Sequence, residues 1–181
     1  MKNLTLKLII FMLSLAIVIS CKKPLSTPAP TASQSFLPMQ VGNLWYMNSQ
    51  NYTEIKDSVM ISGKLYYKFV SLIGGDAFAI SYLRIDENGK LISSDPKYPD
   101  LKVIRGDFSA KVGEQFFTIG TGTDTDQQVT VTEKTDTSIS FSFDYIYHIN
   151  LKGHPYVNTY IKGQGYPGDW NRLKINGVLL K

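Results

Sequence analysis

Apolar and polar residues alternate along several stretches of the chain, most regularly between residues 138 and 151. The odd-numbered positions there hold only aromatic or aliphatic side chains, and the even-numbered positions hold mostly serine and other polar residues. A period of two residues is that of a β-strand with one buried face, and an α-helix does not produce it. Because strands are usually about five or six residues long, we expect the chain to bend or break near Asp144 and to pass there from one sheet segment to another.

Turns that contain glycine separate further alternating stretches, and each such pair predicts a β-hairpin. Three hairpins are predicted in this way, with turns at Ser62-Gly63-Lys64, Glu87-Asn88-Gly89 and Asn176-Gly177. Asparagine and glycine suit these turns because they tolerate the positive φ that tight hairpins need. After a first strand that starts at Leu44, further strands are expected at residues 52–61, 65–73, 78–86, 90–93, 101–105, 115–119, 129–134, 157–162, 172–175 and 178–180. Residues 94–100, with two prolines, and residues 120–126 are predicted to be loops.

The same patterns set the fold class. No stretch combines helix-forming residues with a sustained period of 3.6, and the 11 Tyr, 9 Phe and 2 Trp favour strands. About ten short strands with regular turns predict an all-β fold: a single antiparallel β domain, as a barrel, a half-barrel or a sandwich. We assign this domain to residues 36–181.

The first residues follow a different pattern. Lys2 and Lys7 precede an apolar run from Leu8 to Ile19, and Ser20 follows it. A basic start, an apolar stretch and a small residue are the parts of a secretory signal peptide. Because a membrane-spanning helix needs about 20 apolar residues, this shorter run predicts a cleavable signal peptide at residues 1–20.

The residues at the cleavage point are more specific. Val18-Ile19-Ser20-Cys21 resembles the lipobox of bacterial lipoproteins. The resemblance implies diacylglycerol on the sulfur of Cys21, cleavage before that residue and acylation, for instance with palmitate, of the new amine. Cys21 is the only cysteine, so no intramolecular disulfide is possible, and a lipid accounts for its position.

Residues 21–35 form the acylated cysteine and a linker that is rich in proline, serine and threonine and has little to bury. Lys22 and Lys23 follow the cysteine, where an aspartate would imply retention at the inner membrane in the lipoproteins that this chain resembles. We therefore expect a protein of the cell envelope, anchored by its lipid to the periplasmic face of the outer membrane.

The start of the domain carries a second resemblance. The segment Phe36-Leu37-Pro38-Met39-Gln40-Val41-Gly42-Asn43-Leu44-Trp45-Tyr46 is similar to the opening of small all-β bacterial lipoproteins of unassigned function. The resemblance implies an all-β domain and brings no catalytic residues with it.

Residues with catalytic or metal-binding chemistry are sparse. His148 and His154 are too few and too scattered to suggest a zinc site, and the spacing of Asp124 and Asp126 lacks the other ligands of a calcium loop. No glycine-flanked serine suggests a nucleophile, and most carboxylates fall at turns. The formal net charge is +4, which is small for a chain of this length. Binding to nucleic acid would need a clustered basic face, so we expect no nucleic-acid partner. We therefore expect that the protein is not an enzyme and that it binds neither a metal ion nor a cofactor.

A loop rich in aromatic residues and glycine remains as the candidate binding site. Its aromatic residues are Tyr156, Tyr160, Tyr166 and Trp170. They suit stacking on a sugar or on another small apolar ligand, but the same composition suits a loop that folds back over the core. Two functions therefore stay open: a non-catalytic module that binds a small apolar or glycan ligand, and a structural lipoprotein that docks onto another envelope protein.

Overall fold

A computed structural model describes residues 34–180, which form β-strands, turns and loops. Residues 1–33, which carry the predicted signal peptide, Cys21 and nearly all of the linker, lie outside the described residues, and so does Lys181. Within residues 34–180, no helix is long and apolar enough to cross a membrane.

Twelve strands run through the described part of the chain, and they form two antiparallel sheets. The strands are β1 Leu44–Asn48, β2 Asn51–Ile61, β3 Lys64–Ile73, β4 Ala77–Ile85, β5 Lys90–Asp95, β6 Tyr98–Asp107, β7 Gln115–Phe117, β8 Gln128–Lys134, β9 Ser138–Asp144, β10 Tyr156–Ile161, β11 Arg172–Ile175 and β12 Val178–Leu179. The eight-stranded sheet has the order β12-β11-β1-β2-β3-β4-β5-β6, and the four-stranded sheet has the order β10-β9-β8-β7. The sheets do not close into a barrel, so the predicted all-β fold is confirmed in its sandwich form.

The hydrophobic core lies between the two sheets. Trp45, Phe69 and Leu83 of the eight-stranded sheet belong to the same buried cluster as Phe141 and Phe143 of the four-stranded sheet. The alternation predicted for β9 places its odd-numbered residues on this inner face, because side chains of a strand point to opposite faces in turn.

The second half of the alternating stretch does not continue the strand. β9 ends at Asp144, as the predicted break requires, and the chain then turns instead of joining another sheet segment. Ile149 is 93% exposed. A side-chain oxygen of Asp144 accepts a hydrogen bond of 3.0 Å from the backbone N–H of Gly153, which holds the ends of this turning segment together.

One predicted loop is in fact partly strand. Residues 94–100 were expected to be irregular because they contain two prolines, yet β6 begins at Tyr98 and includes Pro99. β6 is the outermost strand of its sheet. Proline is tolerated in an edge strand because its missing N–H removes no hydrogen bond that the sheet needs there.

The segment that begins the domain is fixed by a buried asparagine. Asn43 donates a hydrogen bond from Nδ2 to the carbonyl of Pro38 at 2.9 Å, and its Oδ1 accepts one from the N–H of Asn176 at 2.7 Å. Its backbone carbonyl accepts a third bond from Ile55. One side chain thus ties the start of the domain to the hairpin of β11 and β12.

The loop that follows β10 packs against the core of the eight-stranded sheet. The indole Nε1 of Trp45 donates a hydrogen bond of 2.6 Å to the carbonyl of Gln164. The ring of Tyr166 lies 5.9 Å from that of Trp45 and 5.7 Å from that of Phe69. Between them, Gly165 has a φ of +89°, and a Cβ atom there would lie 2.9 Å from Pro38 Cδ and 3.2 Å from Trp45 Cζ2. This loop therefore covers one side of the core.

We predict that Gly165→Ala destabilises the protein more than Gly153→Ala does. Both glycines have positive φ, at +89° and +79°, so alanine is strained at either position by about 1 kcal/mol. A Cβ at Gly153 meets no atom within 4 Å, whereas a Cβ at Gly165 meets the core and adds about 2 kcal/mol of overpacking. Thermal and denaturant unfolding of the two variants measure this difference, and equal losses of stability would show that the loop does not pack as described.

Candidate functional site

A cleft of about 370 Å³ opens between the inner faces of the two sheets. This volume lies in the range of known small-molecule sites, about 300–1,000 Å³. Both sheets and the loop after β10 contribute to its walls. The lining residues are Ser81, Leu83, Leu91, Arg105, Phe143, Tyr156, Asn158, Tyr160, Tyr166 and Pro167. We call it the inter-sheet cleft.

Tyr156 provides a flat aromatic wall. It pairs with Phe143 across β9 and β10, and the two rings stack with centroids 5.1 Å apart and planes 8° apart. Tyr156 is nevertheless 42% exposed. Its hydroxyl accepts a hydrogen bond from Gln127 Nε2 at 3.1 Å, which fixes the ring in place. A ring supported on one face and accessible on the other is suited to stacking against a ligand.

Tyr160 lies deeper in the cleft, four residues further along β10, and is only 5% exposed. Burial raises the pKa of its phenol well above the ordinary value, so the hydroxyl stays protonated. Among residues 34–180 this hydroxyl has no hydrogen-bond partner within the protein, although it is not sealed off inside the core. A neutral phenol of this kind can donate one hydrogen bond to a ligand and accept another.

Tyr166 forms the wall opposite the strands, between the cleft and the rings of Trp45 and Phe69. Burial raises the pKa of its phenol as well, while the positive charge of Arg105 and the Ser71 hydroxyl act in the opposite direction. The hydroxyl is therefore a second neutral donor and acceptor near the same space.

Arg105 is the charged residue among those that line the cleft. It occupies a β-bulge: Gly106 pairs with Leu91 and Ile104 pairs with Ile92, so Arg105 is the extra residue on β6. A bulge redirects a side chain and is often found beside functional sites. The Nε of Arg105 donates a hydrogen bond of 3.2 Å to the Ser93 hydroxyl, which fixes the position of the guanidinium.

Trp170 does not line the cleft. Its indole Nε1 donates a hydrogen bond of 2.7 Å to the carbonyl of Tyr166, and the two rings lie 6.2 Å apart. Of the four aromatic residues chosen from the sequence, Tyr156, Tyr160 and Tyr166 therefore meet at one cleft, and Trp170 supports Tyr166 from outside it. The loop after β10 both packs on the core and walls the cleft, so the two interpretations of its composition apply together.

A second groove, of about 670 Å³, lies where the chain enters the domain. Its apolar lining includes Phe36, Met39, Tyr67, Ile85 and Phe108, which also pack against the main core. The groove is thus the outer margin of that core. The inter-sheet cleft instead lies between the two sheets, and its walls bring three tyrosines, among them the 42% exposed Tyr156, together with Arg105. We take the cleft as the candidate site.

The remaining candidates for chemistry lie apart from the cleft. His148 packs edge-on against Tyr145 at 6.3 Å and accepts the backbone N–H of Asn150 at its Nδ1, while His154 is exposed in a turn. Within residues 34–180, no three histidine, cysteine or acidic side chains are grouped closely enough to hold a metal ion.

Asp126 organises the loop between β7 and β8. Its two carboxylate oxygens accept hydrogen bonds of 2.9 to 3.2 Å from four successive backbone N–H groups and one hydroxyl. The donors are the N–H groups of Ile119, Gly120, Thr121 and Gly122 and the hydroxyl of Thr118. Both oxygens thus accept hydrogen bonds from the loop itself. Asp126 therefore stabilises the loop, and this role accounts for the residue without calcium binding.

We predict that Asp126→Asn lowers the free energy of unfolding at pH 7 by about 2 kcal/mol, since several N–H groups lose a charged acceptor. Burial alone would raise the pKa of Asp126, but the backbone and hydroxyl donors hold it below its ordinary value of 3.8. Because the folded state binds this proton less readily than the unfolded state, the stabilisation is present above that value and lost as the pH falls through the folded pKa.

Denaturant unfolding between pH 2 and pH 7 checks this prediction. The deficit of Asp126→Asn relative to the wild type should shrink as the pH falls below about 4. Asp124→Asn, in an exposed position of the same loop, is the matched control and should change stability by less than about 0.5 kcal/mol. A deficit that stays constant with pH would contradict the role given to the Asp126 charge.

Comparisons of the chain with known protein families, with curated proteins and with solved structures give no match. The residues of the inter-sheet cleft can stack on a flat ligand and form hydrogen bonds with it, and Arg105 can neutralise a negative group.

The sequence pointed to the aromatic residues of the cleft but not to its polar ones. Ser81, Asn158 and Arg105 were not singled out, because each looks like an ordinary strand residue in the sequence. One signal was present beside Arg105: Gly106 directly follows the predicted strand 101–105 and lies inside the observed β6, and an isolated glycine in a strand often marks a bulge.

Proposed function

We propose that the protein is an exported, lipid-anchored binding module whose inter-sheet cleft holds a small, hydroxyl-rich ligand of the glycan class. The observation that carries this proposal is the combination of the accessible Tyr156 ring with the unpartnered hydroxyl of Tyr160 in one cleft. A ligand that satisfies both needs a flat apolar face and several hydrogen-bonding groups, and a sugar ring has both.

The polar lining favours a glycan over a purely apolar ligand. Ser81, Asn158 and three tyrosine hydroxyls stand among the lining residues, together with Arg105. An apolar ligand would strip these groups of water and offer no hydrogen bonds in return, which costs about 1–3 kcal/mol for each group. A hydroxyl-rich ligand replaces the bonds to water with bonds of its own.

The anchor is proposed from the first residues of the chain. The lipobox resemblance at Val18-Ile19-Ser20-Cys21 supports acylation of Cys21, and residues 22–35 supply a flexible spacer between the lipid and the domain. Two or three acyl chains on one residue suffice for stable membrane attachment, since a single chain binds only marginally. Lys22 and Lys23 support placement at the outer membrane, with the domain in the periplasm.

For the anchor, we expect the purified protein to begin at Cys21 and to carry the added mass of its acyl chains. Intact-mass measurement of the protein from the membrane fraction tests this directly. Cys21→Ser should lose the acyl mass, whereas the neighbouring Lys23→Gln should keep it. A wild-type protein that lacks acyl mass, or that begins at another residue, would contradict the lipoprotein proposal.

For the cleft, we expect a small molecule to remain bound when the full-length product is purified from its own host in mild detergent and examined by native mass spectrometry. Tyr156→Ala should lose that mass because the stacking wall is removed. Tyr147→Ala is the matched control: Tyr147 is 48% exposed and also stacks on a phenylalanine, Phe117, but does not line the cleft. The same loss in both variants, or no bound molecule in the wild type, would argue against a binding module.

Docking onto another envelope protein is the second candidate function. It is favoured by apolar side chains on the outer surface of the eight-stranded sheet: Phe78 is 64% exposed, and Ile80 and Leu101, each 53% exposed, border one shallow hollow. Exposed apolar patches on sheets are common at protein interfaces. In the same mass-spectrometry experiment, a protein partner that is lost on Ile80→Asp and retained in Tyr156→Ala would favour docking over ligand binding.

A further inference from the structure

We propose that the ligand of the inter-sheet cleft carries a carboxylate and that Arg105 binds it, so that the cleft takes an acidic sugar in preference to a neutral one. The inference rests on the proposed function and names the substrate class of the same site. Three features support it: the placement of Arg105, the lack of a counter-ion for Arg105 within the described residues, and the polar groups that line the same cleft.

The backbone directs Arg105 toward the cleft at a specific point. The pairs Gly106 with Leu91 and Ile104 with Ile92 leave Arg105 between them as an extra residue without a partner on β5. Without a bulge, a side chain here would follow the strict alternation of the strand. With the bulge, Arg105 lines the cleft and bonds to Ser93, which pairs across the sheet with Leu83, itself a lining residue.

Arg105 differs from the other two arginines of residues 34–180 in what surrounds its charge. Arg84 lies 3.9 Å from Glu87 and over the ring of Tyr66, and Arg172 lies over the ring of Tyr46. Arg105 has neither arrangement within the described residues, where the salt bridges are those of Lys56 with Glu54 and Arg84 with Glu87.

The hydrogen bond to Ser93 uses Nε, so the two terminal nitrogens of the guanidinium can donate hydrogen bonds to a ligand. Nε is occupied by the Ser93 hydroxyl at 3.2 Å, so one edge of the fork is fixed. The two terminal nitrogens form a planar pair of donors that matches the two oxygens of a carboxylate. A serine that orients the guanidinium lowers the entropy lost on binding, because the long side chain is already restrained.

The neutral hydroxyl of Tyr160 is placed to assist. The Arg105 charge lies near enough to Tyr160 and Tyr166 to oppose the effect of burial on both phenols. Because Arg105, Tyr160 and Tyr166 line the same cleft, a carboxylate bound to the guanidinium would lie near the phenol donors, while Ser81 and Asn158 remain for sugar hydroxyls. The stacking wall at Tyr156 completes a site for a ring that bears one negative group.

The test compares acidic and neutral sugars on the full chain in detergent solution by isothermal titration calorimetry. The probes are glucuronate and galacturonate, with glucose and galactose as their neutral counterparts, and acetate and sulfate as simple anions. We expect the acidic sugars to bind at least tenfold more tightly than the neutral ones. Arg105→Gln should abolish this preference, and Arg172→Gln, which changes an arginine outside the cleft, should leave it intact.

The outcomes separate the two proposals. Equal binding of acidic and neutral sugars, unaffected by Arg105→Gln, would overturn the inference and leave the glycan proposal standing. Failure of all four sugars to bind would overturn both. Acetate or sulfate binding as tightly as the acidic sugars would reduce the site to a simple anion site and overturn the inference. If Arg105→Gln does not fold, Arg105→Lys is measured in its place. Lysine keeps the positive charge but lacks the paired nitrogen donors of the guanidinium, so this variant should bind acidic sugars several-fold more weakly.

Discussion

The close contact of Gly165 with Trp45 is the constraint on which both the sandwich and its cleft depend. The chain has one cysteine, so no intramolecular disulfide joins the sheets and only non-covalent contacts hold them. At this contact the chain leaves the four-stranded sheet and lies directly on the indole of the eight-stranded sheet, where a Cβ would come within 3.2 Å of the ring. The hydrogen bond from Trp45 to Gln164 fixes the approach, and the next residue, Tyr166, becomes a wall of the cleft.

The opposite side of the sandwich is held by backbone and lysine contacts. The N–H of Ile104 donates to the carbonyl of Thr118 at 2.8 Å, which joins the edge of the eight-stranded sheet to the chain beyond β7. Lys134 donates from its ammonium group to three carbonyls of the segment after β6, at 2.8 to 3.2 Å. Because both sides are tied, the cleft lies between fixed walls and its polar groups are positioned before any ligand arrives, which lowers the cost of binding.

The hairpins could be predicted from the sequence because their determinants are local. Gly63, Gly89 and the Asn176-Gly177 pair adopt the positive φ that their turns require, and the flanking strands follow. The alternation beyond Asp144 predicted a further sheet segment that the structure does not have. Periodicity shows that a segment can present one apolar face, but only pairing with a neighbouring strand makes it part of a sheet. The position of Arg105 was not predicted because the bulge is set by the register between β5 and β6, which is irregular at two points and which no turn motif marks in the sequence.

The cleft exists because polar residues interrupt the inner faces where the core would otherwise continue. Ser81 pairs with Phe69 on β3, and Asn158 pairs with Phe141 on β9, so both lie beside buried core residues. Leucine or valine at these two positions would extend the core, and burying each such side chain would stabilise the fold by about 1.5–3 kcal/mol. A sandwich stabilised only for folding would fill the space with apolar side chains, so polar inward positions that converge with an oriented arginine support the proposal that the cleft binds a ligand.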